Sequence, residues 1–222
     1  MQRVQLLPET SDPHTWELQW KGVPVCYVNA VRRILMSHIE TMAIEHVKII
    51  KNTSYIPDEM LVHRLAMTGI RVNASLFETY MEDNPDPSRN QLVFALQAIH
   101  SNGGNSFAKK TIYAGDLIWK PLGSFQERLP EKPTIIHPRI PLVCLAPGQE
   151  IQLECVCVKS TAQEHAKWSA VDHVYYRFAD DSSDHIIMHL ESRGIYSNKE
   201  LLVKTLGQLK DRLNNLQREL EL

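Results

Sequence analysis

The chain has 222 residues, of which 43% are hydrophobic and 23% charged, a composition typical of one large or two modest globular domains. Its 24 lysines and arginines against 26 aspartates and glutamates leave a formal net charge of −2, which argues against binding nucleic acid through bulk positive charge. Membrane-helix and signal-peptide patterns are missing from the sequence, so we expect an intracellular protein.

Periodicity in the first third of the chain predicts a strand, a helix, a strand and a second helix. Residues 14–20 alternate between apolar and polar, and Lys21–Gly22 is a turn signal. Residues 24–39 form an amphipathic pattern that begins with a proline suited to a first helical turn. The strand and helix that follow are predicted over residues 42–50 and 58–67.

The middle of the chain reads as strands separated by proline-rich segments. Residues 80–90 contain two prolines and predict an acidic surface loop. Strands are predicted over residues 92–100 and 111–119, joined at the turn signal Asn102-Gly103-Gly104. Six prolines between residues 121 and 147 indicate an irregular connector, and residues 150–158 alternate as a strand with Cys155 and Cys157 on one face.

The last third predicts two strands and a long helix. After a polar loop over residues 160–170, strands are predicted over residues 171–178 and 185–190, with a turn at residues 180–183. Ser197, followed three residues later by Glu200, is a capping-box pattern that begins a helix without prolines.

Leucines on this last helix recur with steps of four and three residues, the spacing of a heptad seam. Such a narrow seam is better suited to contact with another helix than to packing on a sheet, although these leucines could also cover the chain's own core. The seam consists of Leu202, Leu206, Leu209, Leu213, Leu216 and Leu220.

Catalytic signatures are missing from the sequence. It contains no phosphate-binding loop, no nucleophile elbow, no HExxH zinc motif and no paired-aspartate cluster of the kind that holds two magnesium ions. A cysteine hydrolase using Cys144 with His137 or His165 has no local signature to support it. The four scattered cysteines are expected to be reduced.

Several motifs, taken in order, resemble one family. They are NAVRRIL at 29–35, TMAIE at 41–45, NTS at 52–54, DE at 58–59, HRL at 63–65, TIYAGDL at 111–117, EHAKW at 164–168 and LESRG at 190–194. The chain resembles the alpha-type assembly subunit of cellular RNA polymerases: the third-largest subunit of polymerase II, its counterpart in polymerases I and III, and the archaeal equivalent of both.

This resemblance implies an α+β fold in which a dimerisation domain of strands and two helices is interrupted by a mainly β insert domain. The dimerisation domain is expected over residues 1–51 and 168–222, and the insert over residues 52–167. The resemblance further implies that the helices pair with a second, smaller alpha-like chain. The expected interface is then Val28, Val31 and Leu35 with Leu202, Leu206, Leu209, Leu213, Leu216 and Leu220.

The family's dimer is also the platform for the second-largest, beta-like subunit, and the first helix belongs to that surface. Arg32 and Arg33, with Asn29, are candidates for this contact through bidentate hydrogen bonds, or they form a solvated helix face. His165, Lys167 and Trp168 are further candidates, although Trp168 could instead fold back on its own domain.

One departure concerns metals. In the family that the chain resembles, polymerase II subunits carry a cysteine-rich zinc loop in the insert and many archaeal subunits an iron–sulfur module, whereas the corresponding residues 80–90 here contain no cysteine. Cys155-x-Cys157 has the wrong spacing for zinc. No metal and no cofactor are therefore expected. A reduced chain of this kind fits a large DNA virus or a minimal polymerase, acting in the host cytoplasm or virion, as well as a cellular, nuclear enzyme.

The sequence thus predicts a non-catalytic assembly subunit of DNA-directed RNA polymerase. Its partners are a smaller alpha-like subunit, the beta-like subunit and other core subunits, with little nucleic-acid contact and no membrane. The alternative is a free-standing adaptor that dimerises through its last helix.

Overall fold

The computed structural model describes residues 4–7, 12–81, 83–101, 109–179 and 185–220. The predicted turns at residues 102–104 and 180–183 lie outside these ranges.

Helices and antiparallel sheets together confirm the α+β class. In chain order the elements are β1 (Val4–Leu6), β2 (Thr15–Lys21), α1 (Val25–Ser37), β3 (Thr41–Asn52), α2 (Asp58–Ala66), β4 (Ile70–Arg71), β5 (Gln91–Ile99), β6 (Lys110–Tyr113), β7 (Ile118–Lys120), α3 (Gly123–Glu127), β8 (Thr134–Ile135), β9 (Pro141–Leu145), β10 (Glu150–Ser160), β11 (Val171–Phe178), β12 (His185–Ser192) and α4 (Asn198–Leu220).

The chain divides into two compact units. The first comprises residues 1–40 and 161–222, and the second residues 41–160. The sequence-based boundaries at 51/52 and 167/168 differ from these at both junctions. At the first junction the reason is β3, whose residues pair with β10 from Thr41 to Asn52 and so belong to the second unit; at the second junction, residues 161–167 belong to the first unit.

In the first unit, both ends of the chain share one antiparallel sheet with strand order β1-β2-β12-β11. The central pairing is β2 with β12, in which Leu18 lies opposite Met188 and Trp20 opposite Ile186. These side chains are buried, whereas the alternate ones on β12 are only half-buried. The turn after β2 uses Gly22 at a positive φ of 62°, a conformation that glycine adopts without strain.

Two helices pack on this sheet. α1 contacts β11 and α4, and α4 also contacts β12. The loop from β12 to α4 is fixed by Ser192, whose hydroxyl donates to the carbonyl of Tyr196 at 2.7 Å, and by Tyr196, whose hydroxyl donates to the carbonyl of Glu40 at 3.0 Å. The start of α4 is thereby anchored to the end of the α1 segment.

The second unit contains an antiparallel sheet with strand order β3-β10-β5-β7 and two two-stranded sheets, β4-β8 and β6-β9. Alternate residues of β10 are buried, among them Cys155 and Cys157, as predicted. α2 packs on β3 and β9 through Leu61 and Leu65, both fully buried. The secondary structure of this unit differs from the predicted one in two places.

The predicted strand over residues 111–119 is two strands in different sheets. A 3-10 turn over Ala114–Asp116 separates β6 from β7, and Asp116 accepts a hydrogen bond from the backbone N–H of Tyr113 at 2.7 Å. β7 pairs with β5, whereas β6 pairs with β9.

The prediction of an irregular connector over residues 121–147 is wrong, because this segment contains α3, β8 and β9. β9 buries Leu142, Val143 and Leu145 in the core. Its proline, Pro141, is the first residue of the strand, a position at which a missing N–H is tolerated. The prolines of this segment lie between its helix and strands or at their ends, so regular structure can form between them.

None of the described helices is both long and apolar enough to span a membrane.

The cysteines provide a test of the second unit's core. Burial raises the pKa of Cys155 to about 12, so almost no reactive thiolate exists at about pH 8. We expect iodoacetamide to modify the exposed Cys26 first and Cys155 only after unfolding in urea. Peptide mass spectrometry of timed samples provides the measurement, and rapid modification of Cys155 in the folded chain would contradict this core.

Candidate subunit interface

α4 begins at the predicted capping box. The Ser197 hydroxyl accepts from the backbone N–H of Glu200 at 3.3 Å, and the Glu200 carboxylate accepts from the backbone N–H of Ser197 at 2.9 Å. The helix then continues for 23 residues to Leu220. Because both orphan donors are satisfied, the helix start and its rotation are well defined.

One face of α4 packs against the chain's own first unit. Its fully buried side chains are Leu201 and Thr205, and the Thr205 hydroxyl donates to the carbonyl of Leu201 at 2.7 Å. The Asn198 side-chain amide donates to the carbonyl of His14 at 3.0 Å. This column of residues, one position away from the predicted leucine seam, attaches the helix to its own domain.

The leucine seam itself is largely uncovered. Leu202 and Leu209 are half-buried, while the remaining four leucines are exposed by half or more: Leu206 51%, Leu213 53%, Leu216 52% and Leu220 78%. The interpretation that these leucines cover the chain's own core is therefore wrong for this part of the seam. The core uses Leu201 and Thr205 in their place.

The second half of α4 extends beyond its own domain. Every residue from 210 to 220 is exposed, a length of about 16 Å of helix. A stretch this short is marginal as an isolated helix in water, so burial of its leucines would stabilise it. An exposed row of leucines on one side of a helix is therefore a candidate interaction surface.

The end of α1 meets the middle of α4. The side-chain amide of Gln208 donates to the carbonyl of His38 at 2.8 Å, which satisfies an orphan acceptor at the C-cap of α1. Burial, followed by the positive charge of Arg212, lowers the pKa of His38. The ring is therefore mainly neutral at neutral pH, and no charge is buried between the two helices.

The predicted interface residues of α1 are not at a surface. Val28, Val31 and Leu35 are 0%, 1% and 1% exposed, because they form the helix face that packs on the first unit. They fix the position of α1 and have no area to offer a second chain. The apolar side chains that α1 does expose are Val25, Tyr27 and Met36, which periodicity alone did not distinguish.

The two arginines of α1 have different environments. Arg32 is half-buried and donates to the Asn29 side-chain oxygen at 2.9 and 3.1 Å, while its third nitrogen lies 3.1 Å from the Met36 sulfur. The exposed Arg33 has no hydrogen bond or ion pair from its guanidinium to any described residue. Of the two, Arg33 is the cation available to a neighbouring chain.

The loop with the third group of candidates folds back on its own domain. Trp168 is only 5% exposed, with the Lys167 ammonium 4.4 Å from its ring centre. His165 caps the short 3-10 turn over Ala166–Trp168 by accepting from the backbone N–H of Lys167 at 3.1 Å. Trp168 therefore packs inside its own domain and is not available for the predicted contact. His165 is exposed and Lys167 is half-buried.

Among the described residues, no three His, Cys, Asp or Glu side chains gather as a metal site would require. Cys144 interacts with Thr111, whose hydroxyl lies 3.5 Å from the sulfur, and no described histidine side chain bonds to it. His185 and His189 lie on β12, where Gln19 and Glu17 of the adjacent strand are their respective neighbours. These contacts give no arrangement of nucleophile and base.

Comparison with known proteins agrees with this geometry. Residues 17–213 match the RNA polymerase Rpb3/Rpb11 dimerisation domain. The chain belongs to this family. The match confirms the resemblance drawn from the motifs and includes both α1 and most of α4.

Relatives with curated names are RNA polymerase subunits. The chain is 34% identical to DNA-directed RNA polymerases I and III subunit rpac1 of Dictyostelium discoideum, over 79% of this chain and 52% of that protein. It is 34% identical to the human subunit RPAC1 over 77% and 53%. With subunit Rpo3 of Methanocaldococcus jannaschii it shares 29% identity over 90% and 87%. The chain spans about half the length of the RPAC1 relatives.

Two leucines on adjacent columns of α4 test which face of the helix packs in the chain's own core. We expect Leu201→Ala to lower the free energy of unfolding by about 2–5 kcal/mol, because it leaves a cavity in the first unit. Leu206→Ala should change it by about 1 kcal/mol or less, since that side chain is half exposed. Urea unfolding followed by tryptophan fluorescence measures both, and equal effects would contradict the two-column assignment.

Proposed function

We propose that this chain is a non-catalytic assembly subunit of a DNA-directed RNA polymerase, and that α4 joins it to a smaller alpha-like subunit. The observation that carries the proposal is the exposed leucine seam of α4 within a match to a polymerase dimerisation domain. Relatives named as polymerase subunits support the same conclusion. A free-standing adaptor is not favoured, because it would leave this relationship unexplained.

The seam is suited to a permanent interface. Obligate interfaces are more apolar than transient ones and resemble a domain core cut in half. Each leucine that moves from half exposure to full burial adds roughly 1 kcal/mol to association.

We further propose that α1 contributes to docking the second-largest, beta-like subunit. Arg33 is exposed and can pair with a carboxylate or backbone carbonyl of that subunit. Arg32, held by Asn29, has its guanidinium already oriented and would position the adjacent surface. His165 and Lys167 are candidate rim contacts of lower energetic weight.

In this role the chain does no chemistry itself. Its contribution to transcription is to bring catalytic subunits together, which requires surface complementarity and no metal or cofactor. Polymerase assembly takes place inside the cell, so an intracellular location, nuclear in a eukaryotic cell, is part of the proposal.

Replacing two seam leucines tests the alpha-like interface. We expect Leu209→Asp with Leu213→Asp to abolish pull-down of the alpha-like partner, because two carboxylates would be buried without partners. Asn214→Asp with Asn215→Asp is the matched control, since it adds the same charge to exposed positions on another face of α4. Unaltered binding by the leucine variant would exclude the seam as the interface.

The assembly role also predicts behaviour in expression. The chain produced alone should aggregate at high concentration through its exposed leucines, and co-expression of the alpha-like partner should keep it soluble. A stable monomer at high concentration, with α4 protected from hydrogen exchange up to Leu220, would contradict the proposal.

A charge reversal tests the second contact. We expect Arg33→Glu to lower recovery of the beta-like subunit about tenfold or more, because a cation becomes an anion opposite its acceptor. Recovery of the alpha-like partner should stay unchanged. Arg33→Lys keeps the charge without the bidentate geometry and should give an intermediate loss. Full recovery of the beta-like subunit with Arg33→Glu would exclude this contact.

A further inference from the structure

Two cations flank the centre of the leucine seam. Lys210 follows Leu209 and Arg212 precedes Leu213, and both are exposed. At 100° per residue they lie about 80° to either side of the seam's centre line, and Asp211 lies on the opposite side of the helix. These are the positions from which side chains reach across to a paired helix.

Neither cation is neutralised within the part of the chain that the structure describes. Lys210 and Arg212 make no ion pair there, and the positive charge of Arg212 acts on His38, whose ring is mainly neutral. Gln208 fixes the rotation of α4 against α1 just before this point. The covering helix therefore approaches a surface that is apolar in the middle and positive on both edges.

A second copy of α4 does not satisfy this surface. If two copies pair antiparallel over the whole seam, Lys210 lies opposite Lys210 of the other copy and Arg212 opposite Arg212, so like charges meet at the centre. If they pair in parallel, Arg212 lies opposite the uncharged Gln217 and Lys210 opposite Thr205. Neither orientation provides a carboxylate for either cation.

The leucines alone would allow such self-pairing, since a leucine seam is complementary to itself. Discrimination between partners needs an element that is unfavourable in the wrong pair as well as favourable in the right one. The two flanking cations can supply both effects.

We propose that the helix covering the seam belongs to a different chain and presents carboxylates to Lys210 and Arg212, so that charge selects this heterodimer over a dimer of two identical chains. The inference deepens the proposed function and rests on it. It adds the chemistry of the partner: a helix with an apolar stripe and acidic residues on both edges at its centre.

The first experiment reverses both charges in the co-expressed complex. We expect Lys210→Glu with Arg212→Glu to lower affinity for the alpha-like subunit of the native source about tenfold or more. The loss should shrink as sodium chloride is raised, because salt screens exposed charges. Arg218→Glu, an exposed cation on the opposite face of α4, is the control and should bind normally.

The second experiment needs no natural partner. Two differently tagged copies of the 222-residue chain are co-expressed at a low level, below the concentration at which the chain aggregates, and recovery of the mixed pair is measured. A pair of one wild-type copy and one Lys210→Glu/Arg212→Glu copy should be recovered about tenfold more than a pair of two wild-type copies, because opposite charges then meet in the antiparallel arrangement.

The outcomes separate this inference from the proposed function. If the charge-reversed chain keeps wild-type affinity while the Leu209→Asp/Leu213→Asp chain loses it, the charge inference is wrong and the seam interface stands. Equal recovery of the mixed and wild-type pairs also overturns the charge inference. If the leucine variant also binds normally, the proposed interface itself fails.

Discussion

The pairing of β2 with β12 is the constraint on which the candidate interface depends. It joins strands from opposite ends of the chain, with Leu18 opposite Met188, and thereby makes one sheet from segments separated by an entire second unit. α1 follows β2 and α4 follows β12, so both helices are delivered to the same sheet. Without this pairing the two helices would have no common support, and neither the Gln208–His38 contact nor a defined orientation of the seam would exist.

α4 shows how one helix can serve two cores. Leu201 and Thr205 attach its first half to its own unit, and most of the adjacent leucine column stays exposed and available to the partner proposed above. Because the two columns are separated by only part of a turn, a partner helix on the seam would also lie close to α1. The apolar surface of the folded chain is in this sense incomplete, which is typical of subunits whose stability includes their partner.

Local patterns predicted much of this structure. The alternation of β2 and β10, the amphipathic α1 and the capping box of α4 all depend on neighbouring residues, and the structure contains each of them. Pairing between distant strands could not be predicted from local patterns. β6 is separate from β7 because it pairs with β9, about thirty residues away, and the proline at the start of β9, Pro141, argues against a strand there. Periodicity identified the apolar face of α1 but could not reveal that its Val28 faces inward, while Tyr27 on the flank is exposed. The spacing of the leucines predicts the seam. Its exposure could not be predicted, because it depends on the neighbouring Leu201 being the residue that packs in the core.

The register of β3 and β10 has an evolutionary consequence. Thr41 and Ser160, the first and last residues of the second unit, are direct partners across an antiparallel pair, about 5 Å apart between their α-carbons. The chain therefore leaves and re-enters the first unit at nearly one point. A module connected in this way can grow, shrink or acquire a metal-binding loop without altering the distance that its host must span. The second unit can thus change in size while the strands and helices of the first unit keep their arrangement.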